Sequence, residues 1–129
     1  MKGNTMKKKA VQVFSKKDEE FVSVLISLGT KRTVARVLVF LLNRMEGTMR
    51  EIERVADMTQ PAVSQAVRYM VEQGWVKTEE IPPEWRGRPI KLVSLAIPLD
   101  EIARMIGEEK ETHANRQLSL LKKVRTFVA

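Results

Sequence analysis

The sequence of 129 residues predicts a mainly α chain with one small β-hairpin, an α+β fold. Three observations carry that prediction. Residues 48–74 read as two short helices joined by a tight turn. Residues 75–97 read as two strands around a loop containing proline and glycine. Stretches with helical apolar spacing flank this centre, near residues 16–28 and 99–127, and both carry more apolar surface than one small domain needs.

Composition bounds the class. A hydrophobic fraction of 43% supports a core and separates the chain from disordered sequences. Cysteine is absent, so disulfides, thiolate zinc sites and thiol nucleophiles are excluded, and a reducing, cytoplasmic setting is expected. No uncharged run approaches the ~18 residues of a membrane span, so no membrane partner is expected. The nearest such run, residues 33–43, is interrupted by Arg36. The basic N-terminus lacks the apolar run of a signal peptide. Of the net charge of +7, residues 1–17 supply six lysines and no acid, whereas residues 31–97 set eleven bases against eight acids. The centre is only mildly basic, and charge alone does not establish nucleic-acid binding.

In chain order, residues 1–14 read as a flexible basic arm. Ser15-Lys16-Lys17-Asp18 has the pattern of a capping box and opens a helix from about Lys16 to Leu28. Phe21, Val22, Leu25, Ile26 and Leu28 form its apolar face, and Gly29 ends it. Thr30 is placed to cap a second helix from Lys31 to about Met45, stopped at Gly47. Val34, Val37, Leu38, Leu41, Leu42 and Met45 recur at helical spacing there. Val39 and Phe40 widen that stripe, which marks a central buried helix.

The helix pair over 48–74 follows. Thr48 and Glu51 match a second capping box, and Ile52, Val55 and Ala56 share one face. Asp57-Met58-Thr59 is the turn, since aspartate tolerates left-handed angles. Thr59 caps the next helix, and Pro61 in its first turn sacrifices no hydrogen bond. Val63, Val67, Met70 and Val71 form the buried stripe, and Gly74 is the stop. The remaining face carries Thr59, Gln60, Pro61, Ser64, Gln65 and Arg68, with neither a bulky apolar group nor a carboxylate. Such a face suits duplex DNA: serine bonds phosphate, glutamine pairs bidentately with adenine, and arginine binds guanine or phosphate. Taken alone, the same residues equally suit an ordinary solvated face.

Trp75 to Ile81 and Ile90 to Ile97 are rich in strand-forming residues. The loop between them, Pro82-Pro83-Glu84-Trp85-Arg86-Gly87-Arg88-Pro89, is too long for a two-residue hairpin turn, and its prolines stiffen it. Arg86 and Arg88 flank a glycine and can reach phosphates or a narrow minor groove; in isolation they read better as a solvated charged loop tip, and only their place beside such a helix favours the DNA contact.

Thr59-Gln60-Pro61-Ala62-Val63-Ser64 resembles the start of the recognition helix of bacterial and archaeal helix-turn-helix regulators. Continued through Gly74-Trp75-Val76 and Arg86-Gly87-Arg88-Pro89, residues 31–97 resemble the winged helix-turn-helix domains of the MarR, ArsR and TrmB groups. Glu53 and Asp57 depart from the pattern, where alanine and glycine are usual. The resemblance implies a winged-helix DNA-binding domain over 15–97. Helix 60–73 would lie in the major groove of double-stranded DNA, and the wing 82–89 on the flanking backbone or minor groove. The thiols of ArsR-like metal sensing are absent, and no residue specifies a pocket for the phenolic ligands of MarR-like proteins, so the small-molecule effector is unknown.

Pro98 closes the hairpin, and Asp100 and Glu101 suit a helix N-terminus. Residues 98–129 read as a C-terminal dimerisation helix with one apolar patch at Ile102, Met105 and Ile106 and another from Leu118 to Val128. At ~1.5 Å per residue a continuous helix of this length overreaches one compact domain. The expected solution is a helix pair between two subunits, with a break near Gly107; the alternative is a helix folded back on its own domain. Phe21, Leu25, Ile102, Ile106, Leu121, Val124 and Phe127 are the expected contacts of this homodimer.

No enzymatic chemistry is legible. His113 has Glu109 at i−4 as its single local carboxylate, short of a metal site, and no phosphate loop or nucleophile elbow appears. No cofactor is expected. Two functions remain: a homodimeric, sequence-specific transcriptional regulator, or a winged-helix adaptor that binds protein. An adaptor face should offer an aromatic or aliphatic anchor. Residues 60–68 offer Gln, Ser and Arg instead, which favours DNA.

Overall fold

Side-chain caps start three of the helices. In the computed structural model, which describes residues 14–83 and 87–128, the Ser15 hydroxyl accepts from the Asp18 amide at 3.1 Å, and the Asp18 carboxylate accepts from the Ser15 amide at 2.9 Å. This box opens α1 (Lys16–Ser27). Thr48 and Glu51 repeat it at 3.1 and 2.8 Å to open α3 (Met49–Val55). The Thr59 hydroxyl accepts from the Ala62 amide at 3.3 Å at the head of α4 (Gln60–Glu72). All three are where the sequence puts them, because a side-chain cap, box or single bond, needs only residues three apart. The second helix, α2 (Arg32–Arg44), departs from expectation: Lys31 rather than Thr30 is its cap residue, and no side chain bonds there. Residues 1–13 of the basic arm lie outside the described residues.

The α2 helix is buried without interruption from Val34 to Leu41 and forms the axis of the core. Ile52 of α3, Val63 and Met70 of α4, and Val22 of α1 pack around it, each almost fully buried. Leu42 and Met45, expected in the α2 stripe, are exposed. Met45 instead makes the reversal after the helix, with a positive φ of 69°.

The expected hairpin is present as β2 (Val76–Ile81) and β3 (Ile90–Leu95), antiparallel with Ile81 opposite Ile90 at the loop end. A third strand, β1 (Glu46–Thr48), pairs with β3 and sets Gly47 opposite Val93, so the sheet order is β1-β3-β2. Gly47 therefore serves the sheet, not the helix stop. A Cβ there would fall onto the Phe40 ring, 2.5 Å from Cε1. Gly47→Ala is expected to cost about 1–3 kcal/mol by overpacking, read as a lower Tm against an unchanged helical spectrum. Gly29→Ala, with open space around its Cβ, would lower Tm through its φ of +100° alone.

Arg36, the charge inside the apolar run of α2, is buried and paired. Its guanidinium forks onto the Glu19 carboxylate of α1 at 2.9 and 3.2 Å. The Arg36 bond, with its positive charge, holds the Glu19 carboxyl below its ordinary value of 4.5. A carboxylate depressed by folding stabilises the fold fully above its unfolded pKa and loses that contribution as pH falls through the folded one. Acid melts should therefore show stability declining below about pH 4.5, with a shallower decline in Glu19→Gln. Asp18 adds in the same direction: its partial burial raises its pKa, but bonds from Asn43 and Ser15 outweigh that and lower it.

The last element, α5 (Leu99–Val128), is one helix of 30 residues. It has no break at Gly107, contrary to expectation. Glycine costs only about 1 kcal/mol in a helix interior, and an Arg104 fork to Glu101 and Glu108 braces the turns just before and after it.

Candidate nucleic-acid interface

The turn between α3 and α4 fixes how α4 is presented. Asp57 has a positive φ of 54°, as its residue type allows, and the Met58 amide donates to the Glu53 carbonyl at 2.9 Å. Burial of Val63, Ala66, Val67 and Met70 then sets the rotation of α4. At 100° per residue this turns Gln60, Pro61, Ser64, Gln65 and Arg68 outward. Thr59, Gln60, Pro61, Gln65 and Arg68 are exposed and Ser64 is half-buried. Arg68 forms no ion pair among the described residues.

Val71, expected in the buried stripe, is exposed, and Ala66 takes its place in the core. With Glu72 it lies on the outward side of the last turn. The face free of bulky apolar and acidic groups therefore spans residues 60–68, the N-terminal part of α4. That is the end whose free amides and dipole favour an anion such as phosphate.

The loop joining β2 and β3 carries Arg88, which is exposed. Arg86 lies outside the described residues. Val76 and Thr78 face the core side of β2, while Lys77 and Glu79 point the other way.

The dimerisation residues divide in two. Leu25, Ile102 and Ile106 are buried in this chain's own core, Ile102 at 1% exposure and Ile106 at 8%. Their expected availability to a second subunit is corrected: the start of α5 packs on its own domain. Phe21 lies at the margin of exposure, Leu121 and Val124 are about half exposed, and Phe127 is 88% exposed.

Sequence reasoning missed one feature. Between the N-terminal end of α2, α4 and α5 lies a cavity of about 460 Å³ whose lining includes Lys31, Gln65, Tyr69, Trp75, Lys110 and His113. The indole Nε1 of Trp75 is buried and has no hydrogen-bond partner among the described residues. The Trp75 ring meets Tyr69 edge-on, with centroids 5.8 Å apart. Burial, helped by the charge of Glu109, pushes the Tyr69 hydroxyl above its usual pKa. Gln65 thus stands both on the outer face and at the rim of this cavity. No local pattern could have shown it, since its lining comes from four separate stretches of chain.

Among the described residues no cluster of three or more His, Cys, Asp or Glu could hold a metal, and no helix is long and apolar enough to cross a membrane.

The family model of the MarR family matches residues 28–84. No curated protein matches the chain. Among solved structures, the archaeal chromatin protein TrmBL2, described as showing a novel mode of DNA binding, is 15% identical with a TM-score of 0.64, covering 86% of this chain and 40% of that one. This chain thus spans less than half the length of TrmBL2. A possible transcriptional regulator from Methanosarcina mazei is 14% identical, with a TM-score of 0.59 and coverage of 81% and 86%. A transcriptional regulator homologue from Pyrococcus horikoshii is 20% identical, with a TM-score of 0.52 and coverage of 77% and 97%. At such identities the likeness is one of fold. Over residues 28–84 the chain is MarR-like in sequence, and its helices and three-stranded sheet make the winged-helix fold of those regulators.

Proposed function

We propose that this chain is a sequence-specific, double-stranded DNA-binding transcriptional regulator acting as a homodimer. In this reading α4 enters the major groove, and the loop 82–89 lies on the flanking backbone or minor groove. Residues 15–97 are the DNA-binding domain, and 98–129 lead into the dimer, with the first two turns of α5 shared with the core. The observation that carries the reading is the outward surface of residues 60–68. It combines exposed Gln60, Gln65 and Arg68 with small Pro61 and Ser64 at a helix N-terminus. The MarR-family match over the same segment and the regulators that share its fold support it.

A protein-binding adaptor would need an apolar anchor on this surface. Residues 60–68 carry none of the exposed large apolar groups; on α4 these are Tyr69 and Val71, beyond that surface, whereas the end of α5 exposes Leu118, Leu120, Leu121, Val124, Phe127 and Val128, which fits self-association better than an adaptor role for residues 60–68. The test is a mobility shift with random duplex at low and moderate salt, followed by selection of bound sequences. A shift that weakens steeply with salt, with an inverted repeat enriched, is expected. No shift at low salt with any duplex would sink the reading.

A further inference from the structure

The buried guanidinium of Arg36 is used by nothing described so far except the fold. Its side chain is 10% exposed, yet it makes three hydrogen bonds to two separate elements. Two go to Glu19 of α1, whose side chain is 51% exposed. The third, from Nε, goes to the carbonyl of Ala56 at 2.7 Å and is itself buried. Its guanidinium carbon also lies 4.8 Å from the centre of the Phe14 ring.

Ala56 is the C-cap of α3, and the next residue is Asp57 with its positive φ. The last carbonyls of a helix have no partner within it. Here one is held by a cation, the charge that a helix C-terminus favours. The turn that aims α4 is therefore tied to the side chain of a different helix. The other end of that side chain is fixed by a planar two-bond fork to a third helix, a geometry that lysine cannot reproduce.

We infer that Arg36 is a positioning residue for α4. By holding Glu19 with its fork and the Ala56 carbonyl with Nε, it locks the α3–α4 turn and makes the aim of the outward face depend on the seating of α1. Arg36 touches no outward surface, so its effect on DNA is one of angle and not of charge. This rests on the DNA-binding reading above.

Two variants test it. Arg36→Lys keeps the charge but cannot make the fork and the carbonyl bond together. Glu19→Gln removes the charge from the half-exposed partner and leaves α4 untouched. Both are compared with wild type at a temperature where circular dichroism shows all three folded. In Arg36→Lys, exchange of the two hydrogen-bonded amides of the turn, Ala56 (to the Ile52 carbonyl) and Met58 (to the Glu53 carbonyl), is expected to rise about tenfold, since each charge-assisted bond is worth at least that factor. The ratio of affinity for a selected site to that for random duplex should fall by about the same factor, with the salt slope unchanged because no phosphate contact is lost. Glu19→Gln should move both readouts in the same direction by roughly threefold, since it weakens only the exposed half of the linkage.

A merely structural role would lower Tm in both variants without changing the affinity ratio of the folded protein, and that result overturns the inference. So does a reduced salt slope, which would make Arg36 a direct phosphate contact. If the wild type selects no site, the DNA-binding reading fails on its own. Exchange at Ala56 and Met58 then decides: a rise in both variants supports the lock on the turn, and wild-type exchange in both overturns it.

Discussion

Arg68→Ala is expected to cost about 1–3 kcal/mol at one base position of a selected site, a loss of roughly five- to 150-fold in discrimination there, while leaving affinity for random duplex nearly intact. The size follows from what the side chain can do. Arg68 is exposed, pairs with no carboxylate among the described residues, and sits two turns into α4 on the same outward side as Gln60 and Ser64. An arginine so placed reaches a guanine edge with two parallel donors, which no water reproduces as well. Gln65→Ala should relax preference at a neighbouring position by a comparable amount. Arg88→Ala, on the loop, should behave differently: weaker binding to selected and random duplex alike, with the salt slope reduced by about 0.9. The same holds for Arg86 on the sequence argument. The checks are binding titrations at several salt concentrations on a selected site and its single-base variants. Wild-type behaviour of all four proteins would remove these residues from the interface.

Local chemistry is why so much of this surface was legible beforehand. The boxes at Ser15 and Thr48, the cap at Thr59 and the turn at Asp57 each depend on residues within four positions of one another, and the structure has all of them. The stripe of α4 follows from a period of 3.6, and three of its four expected residues are buried. Val71 fails because a period gives an angle but not the width of the neighbouring element, and Ala66 on the other flank is buried instead. Strand β1 was invisible because three residues are too few for alternation to show. Gly47 read as a helix stop because the Phe40 ring that requires it lies seven positions upstream, on another element. Arg36 read as an interruption in an apolar run for the same reason: its partners are 17 and 20 positions away. The cavity at Trp75 is the extreme case, assembled from pieces between residues 28 and 113.

Shortening α5 is expected to convert a dimer to a monomer and to lower operator affinity far more than any single base contact does. The structure changes where the cut must fall. Ile102 and Ile106 are core residues, so a chain ended after Ile97 would lose part of its own core, and its failure would say nothing about assembly. A chain ended after Lys110 keeps both residues and the Arg104 fork. What it removes is an exposed helix end carrying Leu118, Leu120, Leu121, Val124, Phe127 and Val128. At 100° per residue, Leu120 and Val124 lie in line with Ile102 and Ile106. The stripe that holds α5 to its own domain therefore continues past the domain's edge, after a polar interval, into open solvent. Burying Leu121, Val124 and Phe127 in a second copy would contribute roughly 1.5–3 kcal/mol each before the cost of ordering two chains. A monomer reads only one half-site, whereas two copies on a two-fold axis read an inverted repeat with half-sites about one helical turn apart. Hydrodynamic mass at micromolar concentration should give a dimer for the full chain. The same measurement should give a monomer for the shortened chain and for the full chain with Leu121→Asp and Val124→Asp together, both with unchanged melting of the winged-helix part. A monomeric full chain, or a shortened chain that stays equally dimeric, would rule out assembly through this end of α5.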